Sequence, residues 1–119
     1  MTTKTHSGGC HCGAVRYHAE LDLTEPVISC NCSMCGRSGT LLAFVPAASF
    51  KLDSGEASLT NYKFNNHIIE HLFCKTCGIK SFARGKGRDG SDTVAVNTRC
   101  LDDIDLKELK VQEYDGKNM

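Results

Sequence analysis

The chain has 119 residues, 40% hydrophobic and 24% charged, a composition expected of one globular domain over 1–119 with a modest core. Fourteen Lys and Arg balance fourteen Asp and Glu, which excludes a net field for nucleic acid or an anionic membrane. No stretch reaches the length of about 18 apolar residues that spans a bilayer, and Met1-Thr-Thr-Lys4 leads into no secretory apolar run, so a cytoplasmic location is expected.

In chain order, short apolar or β-branched runs predict strands over 14–19, 27–29, 41–45, 58–64, 68–73, 79–83, 93–97 and 110–114. Helical turns are expected over 33–37, 46–50 and 101–106, the last carrying aspartates suited to a helix start. Turn signals separate these elements: Gly36, Ser54-Gly55, Asn65-Asn66, Gly78, the Gly-rich 85–90 and Asp102-Asp103. No window sustains a helical period, so the pattern argues for an antiparallel β-sandwich or barrel with short helical turns. Lys80, Arg84, Lys86 and Arg88 form the one loose basic cluster, expected as a solvated loop.

Eight cysteines in a reducing compartment are expected as thiols and metal ligands rather than as disulfides. Seven fall in three groups: Cys10-His-Cys12-Gly13, Cys30-Asn-Cys-Ser-Met-Cys35-Gly36 and Cys74-Lys-Thr-Cys77-Gly78. Each ends in Cys-Gly, and glycine supplies the positive φ that a chelating turn often needs. The two-residue spacing of Cys74 and Cys77 is half of a structural zinc site; Cys10 and Cys12 form a half with a shorter bite. Paired, they give four thiolates and a closed site across a loop of about 60 residues, a staple on which folding depends. Cys30, Cys32 and Cys35 then remain as three ligands with an open position, the pattern of a catalytic zinc. A thiol substrate suits that open position, because zinc binds it as the thiolate. Three alternatives stay open at this point: pairing of the middle group with Cys74 and Cys77, an iron–sulfur cluster, and Cys100 as a fourth ligand rather than a buried thiol.

His67-Ile-Ile-Glu70-His71 matches the inverted zinc-protease signature, which needs both histidines on one helical face. The surrounding residues alternate as a strand, setting positions four apart at about 13 Å, so both histidines are expected as solvent-facing strand residues. His11, between two ligands, is expected as a loop residue.

The three groups and their flanks resemble the family of glutathione-dependent formaldehyde-activating enzymes. The matching features are Gly9-Cys-His-Cys-Gly-Ala-Val-Arg16, Cys30-Asn-Cys-Ser-Met-Cys35 with Arg37-Ser-Gly39, Leu59-x-x-Tyr62, Phe73-Cys-Lys-Thr-Cys-Gly78, and Val94-Ala-Val-Asn97 leading to Arg99-Cys-Leu-Asp102. They cover about 8–106. The resemblance implies a mainly β, two-sheet zinc domain with a structural zinc on Cys10, Cys12, Cys74 and Cys77 and a catalytic zinc on Cys30, Cys32 and Cys35. It also implies the joining of glutathione and formaldehyde into S-hydroxymethylglutathione, carbon–sulfur lyase chemistry in reverse. Arg37, Arg84 and Arg99 are the candidates to grip substrate carboxylates. The competing expectation is a non-catalytic zinc module for protein interaction or chaperoning, with an exposed apolar patch and no response to thiols.

Overall fold

In the computed structural model, residues 3–63, 69–87, 90–102 and 104–115 are described. Among the described residues ten strands form two sheets, the two-sheet arrangement that the family resemblance implies. β1 (Lys4–Gly9), β2 (Arg16–Leu21) and β5 (Phe50–Ser54) make a three-stranded sheet in the order β1-β2-β5. The larger sheet uses β3 (Val27–Cys30), β4 (Leu42–Pro46), β6 (Leu59–Tyr62), β7 (Glu70–Cys74), β8 (Phe82–Lys86), β9 (Asp92–Asn97) and β10 (Val111–Tyr114), in the order β10-β3-β4-β9-β8-β7-β6. The described helical segments are short: α1 (Ser33–Ser38) and 3₁₀ turns at Ala47–Ser49, Glu56–Ser58, Thr98–Cys100 and Leu106–Glu108.

Strand periodicity decides which face each side chain joins. On β9, Val94 and Val96 enter the core between the sheets, whereas Thr93, Ala95 and Asn97 face the opposite side. The core couples Tyr17, Ala19 and Leu21 of the small sheet to Val45, Leu72, Phe82, Val94 and Val96 of the large one. At its centre Tyr17, Phe50 and Phe82 stack edgewise or tilted, with ring centroids 5.1, 5.9 and 4.7 Å apart.

The other face of the large sheet carries a second, smaller cluster. Cys35, Leu42, Ala83 and Ala95 pack there, with Cys30 and Cys32 against them. Cross-strand register lays Phe44, Ala95, Ala83 and His71 in one row across β4, β9, β8 and β7. Side chains directly opposite in register share a face, so this row and the cysteine cluster lie on the same side.

Several elements depart from the expectations. β1 comes from a polar segment and, as an edge of its sheet, is held by pairing with β2 rather than by apolar alternation, whereas β5, the other edge and not among the expected strands, turns Phe50 and Leu52 alternately onto the core. β10 pairs with β3 in parallel, against the expected all-antiparallel pattern. β8 starts at Phe82 rather than at 79, because Ile79 closes the preceding turn by accepting from the Cys74 amide at 3.1 Å. The helical turn expected over 101–106 splits into Thr98–Cys100 and Leu106–Glu108, with Leu101 bridged to Gly8 between them. Asn65, Asn66, Arg88 and Asp103, read as turn or loop positions, lie outside the described residues, as do the adjoining ends of the strands read over 58–64 and 68–73.

Candidate metal centres

The two cysteine-bearing hairpins are built alike. After β1, the Cys10 amide donates to the Val15 carbonyl at 3.1 Å and Gly13 turns with φ of 85°. After β7, the Gly78 amide donates to the Cys74 carbonyl at 2.8 Å and Gly78 turns with φ of 79°. A positive φ costs glycine nothing, so each turn folds back and aims its sulfurs inward. Gly36 differs from the expectation. It sits inside α1, and the left-handed turn falls to the helix cap Gly39, with φ of 71°.

These hairpins belong to different sheets, and they bring Cys10, Cys12, Cys74 and Cys77 together with all sulfurs within 4.8 Å of one another. Cys12 Sγ lies 3.6 Å from the sulfurs of both Cys10 and Cys74. A tetrahedron of zinc–sulfur bonds of about 2.3 Å sets its sulfurs about 3.8 Å apart. The donor type, number and spacing therefore suit a closed tetrahedral thiolate site. The polypeptide favours the ionised form of Cys74 and Cys77, whereas at Cys12 the Ala14 amide, which lowers the pKa, is outweighed by the neighbouring thiols and the value rises to about 11. The Cys12 amide, then the Ile79 amide, bring the Cys77 thiol down to about 6, and the Cys77 and Thr76 amides lower Cys74.

The middle group converges separately, with Cys30, Cys32 and Cys35 within 4.8 Å of one another. Cys30 ends β3, Cys32 caps α1, and Cys35 is buried in its first turns. The Cys32 amide donates to Cys30 Sγ at 3.5 Å and the Cys35 amide to Cys32 Sγ at 3.3 Å. Burial opposes ionisation of Cys32, but the Cys35 and Met34 amides hold it below its ordinary value. Burial pushes the Cys35 thiol up to about 11. Among the described residues, no fourth His, Cys, Asp or Glu donor joins this group. Cys100 stands apart from both groups: its sulfur accepts from Asn97 Nδ2 at 3.6 Å and donates to the Lys80 carbonyl at 3.9 Å.

A groove of about 560 Å³ runs over the same face of the large sheet. Ala83 and Ala95, which pack with Cys35, form its floor, and Ile28, Phe44, Ile69 and Tyr114 line its walls. Of the three candidate arginines, two border α1. Arg37 Nη1 donates to the Ser33 carbonyl and Arg99 Nε to the Gly39 carbonyl, both at 3.1 Å. Arg84 points to the opposite face, over the Phe82 ring at 5.3 Å and beside Glu56 at 3.9 Å.

Two residues read as solvent-facing are buried. His71 is 5% exposed and Lys80 8% exposed, because both turn toward the face that carries the cysteine cluster. His67 lies outside the described residues, while His11 is exposed in its turn. Asn97 is the residue whose structural task the sequence did not reveal. Buried in the row beside Leu42, its Nδ2 donates to the Lys80 carbonyl at 3.0 Å, and its Oδ1 accepts from the Leu41 and Arg99 amides.

These features define a two-sheet β domain with two cysteine clusters, either of which could hold a metal ion. Residues 5–114 match the family of the glutathione-dependent formaldehyde-activating enzyme, and the chain belongs to that family. Its fold is similar to the crystal structure of a Rhodobacter sphaeroides protein at a TM-score of 0.80 and 31% identity, over 91% of this chain and 99% of the other.

Proposed function

We propose that this chain is a zinc-dependent enzyme of carbon–sulfur bond chemistry, joining a small thiol such as glutathione to formaldehyde and running the reverse cleavage. The observation that carries the reading is the unequal division of the thiolates, four in one cluster and three in the other, beside a groove. Cys10, Cys12, Cys74 and Cys77 would hold a structural zinc. Cys30, Cys32 and Cys35 would hold the catalytic one, which when bound supplies a Lewis acid that keeps a thiol ionised at neutral pH.

The chain's own groups arrange the rest. The Cys32 and Cys35 amides donate to ligand sulfurs and fix their direction. The apolar groove seats the remainder of the thiol and thins the water around the carbon, and Arg37 and Arg99 flank α1 where carboxylates of a peptide thiol would lie. The sulfur forms a bond to the formaldehyde carbon, the carbonyl π pair moves to oxygen, and that oxygen takes up the proton the thiol gave away. Holding both partners makes the step nearly unimolecular. A reducing cytoplasm, rich in thiols, suits this chemistry.

The decisive experiment measures metal per chain and the cobalt spectrum with and without glutathione, then follows exchange between ¹³C-formaldehyde and S-hydroxymethylglutathione by NMR. Two metals, one of them responsive to glutathione, together with accelerated exchange, support the reading. One inert metal, or a second site closed by four protein ligands, sinks it. The second reading, a non-catalytic interaction module, is favoured by the exposed Phe44, Ile69, Val111 and Tyr114. It requires two metals that ignore thiols and no exchange above the uncatalysed rate.

A further inference from the structure

Lys80 is a lysine in an unusual place. Its Nζ donates to His71 Nδ1 at 2.8 Å, and both residues are more than nine-tenths buried. Burying an ammonium group is costly without an opposite charge. The pairs found among the described residues join Arg16 to Asp102, His18 to Asp53, Arg84 to Glu56 and Lys86 to Asp92, and none gives Lys80 a carboxylate.

The surroundings indicate what supplies the opposite charge. His71 stands in the row with Ala83 and Ala95, and those two pack against Cys35. Lys80 is anchored in the same region by its backbone, since its carbonyl accepts from Asn97 Nδ2 at 3.0 Å. Its charge and those of the cluster act on each other: burial holds the Lys80 pKa below its ordinary value, and the Cys35 and Cys32 thiolates raise it in opposition. Burial, then Lys80, depresses His71 to about 4, so its imidazole stays neutral at physiological pH and its Nδ1 lone pair accepts the lysine proton.

Three thiolates around a divalent ion leave the centre with one excess negative charge, and an anionic fourth ligand leaves it with two. We propose that Lys80, aimed by His71, is the built-in counter-charge of the three-thiolate centre: a positioning cation that raises the affinity of Cys30, Cys32 and Cys35 for their metal and for a thiolate in the fourth position. This assignment rests on the reading above, in which that trio holds a metal with an exchangeable ligand.

The test compares the wild type with Lys80→Met, Lys80→Arg and His71→Phe. Metal affinity at the second site is read by competition with a chromophoric chelator, and glutathione affinity from the cobalt spectrum. Lys80→Met is expected to lower both by about 30-fold or more, the scale of removing one partner from a buried charge pair. First-site metal should stay bound, and the form carrying that metal alone should melt no lower than the wild type, since an uncompensated buried charge is gone. Lys80→Arg, which restores the charge, should recover most of both affinities. His71→Phe, which leaves the charge but not its orientation, should lower them about threefold to tenfold.

The assignment is overturned if Lys80→Met stays within about threefold of wild type, if Lys80→Arg falls as far as Lys80→Met, or if His71→Phe changes nothing. Should Lys80→Met fail to fold, the assignment is overturned if Lys80→Arg loses about 30-fold or more in either affinity or if His71→Phe changes nothing. A wild type with one metal and no thiol response removes the proposed chemistry and this assignment together. A wild type with two metals and an unaffected Lys80→Met removes only the assignment.

Discussion

Replacing Cys12 by Ser tests the division of labour between the two clusters most directly. Cys12 is exposed, so the change removes a ligand without opening a cavity in the core. Its sulfur lies 3.6 Å from that of Cys74, 62 residues away in sequence. Cross-linking a loop of that length restricts the unfolded chain by about 4 kcal/mol, by the entropy relation used for disulfides. The five-residue span from Cys30 to Cys35 gives only about 2 kcal/mol by the same relation. Small domains have about 5–15 kcal/mol in total, so Cys12→Ser should lower the thermal midpoint by about 15 °C or leave the chain unfolded. Cys32→Ser is the control, because serine is a good helix cap and preserves the role Cys32 plays at α1. It should cost about half as much while emptying the second site. Circular dichroism melts paired with metal analysis decide the matter. Equal losses for the two variants, or a larger loss for Cys32→Ser, would refute the assignment of the staple.

Other substitutions probe different parts of the argument. Phe82→Ala removes a fully buried ring from the centre of the aromatic cluster and should cost about 3–5 kcal/mol, measured by urea unfolding with an unchanged slope. Gly9→Ala places a Cβ 2.1 Å from the Val15 carbonyl oxygen, which is backbone and cannot yield cheaply. It should destabilise by about 1–3 kcal/mol and weaken first-site metal binding, because Cys10 is the next residue. Cys100→Ala should leave metal content per chain unchanged, since Cys100 belongs to neither cluster; loss of one metal equivalent by elemental analysis would show it to be a ligand.

Legibility of the fold from sequence followed how each element is stabilised. β3, β4, β7 and β9 carry apolar or β-branched residues that face a core, and their pattern was readable. β1 reads Lys-Thr-His-Ser-Gly-Gly and gains its order from six cross-strand partners on β2, which local composition does not reveal. The parallel pairing of β10 with β3 joins residues more than eighty apart in sequence, and no short-range turn signals it. The cysteine clusters were legible because chelation imposes spacings that a sequence displays directly. Lys80 and His71 were misread for the opposite reason: a Lys or His in a polar-looking segment is ordinarily exposed, and only the register of β7 against β8 turns His71 toward the cysteine cluster.

The two clusters share a donor type but differ in how the chain presents it, and that difference is the physical basis for the unequal roles proposed for them. The first draws its thiols from hairpins on both sheets, so under the proposed reading loss of a metal there would release the restraint between layers, and exchange of any one ligand would strain both turns. The second is confined to the end of β3 and the first turns of α1, on the face of the large sheet away from the main core. Its geometry is set locally, by amide donors to Cys30 and Cys32 and by the Gly39 cap. A fourth ligand of the proposed metal could therefore come and go there without disturbing the packing of Tyr17, Phe50 and Phe82. On the proposed reading, stability placed in one cluster would free the other to exchange ligands, which is the condition a reversible carbon–sulfur reaction sets on its metal.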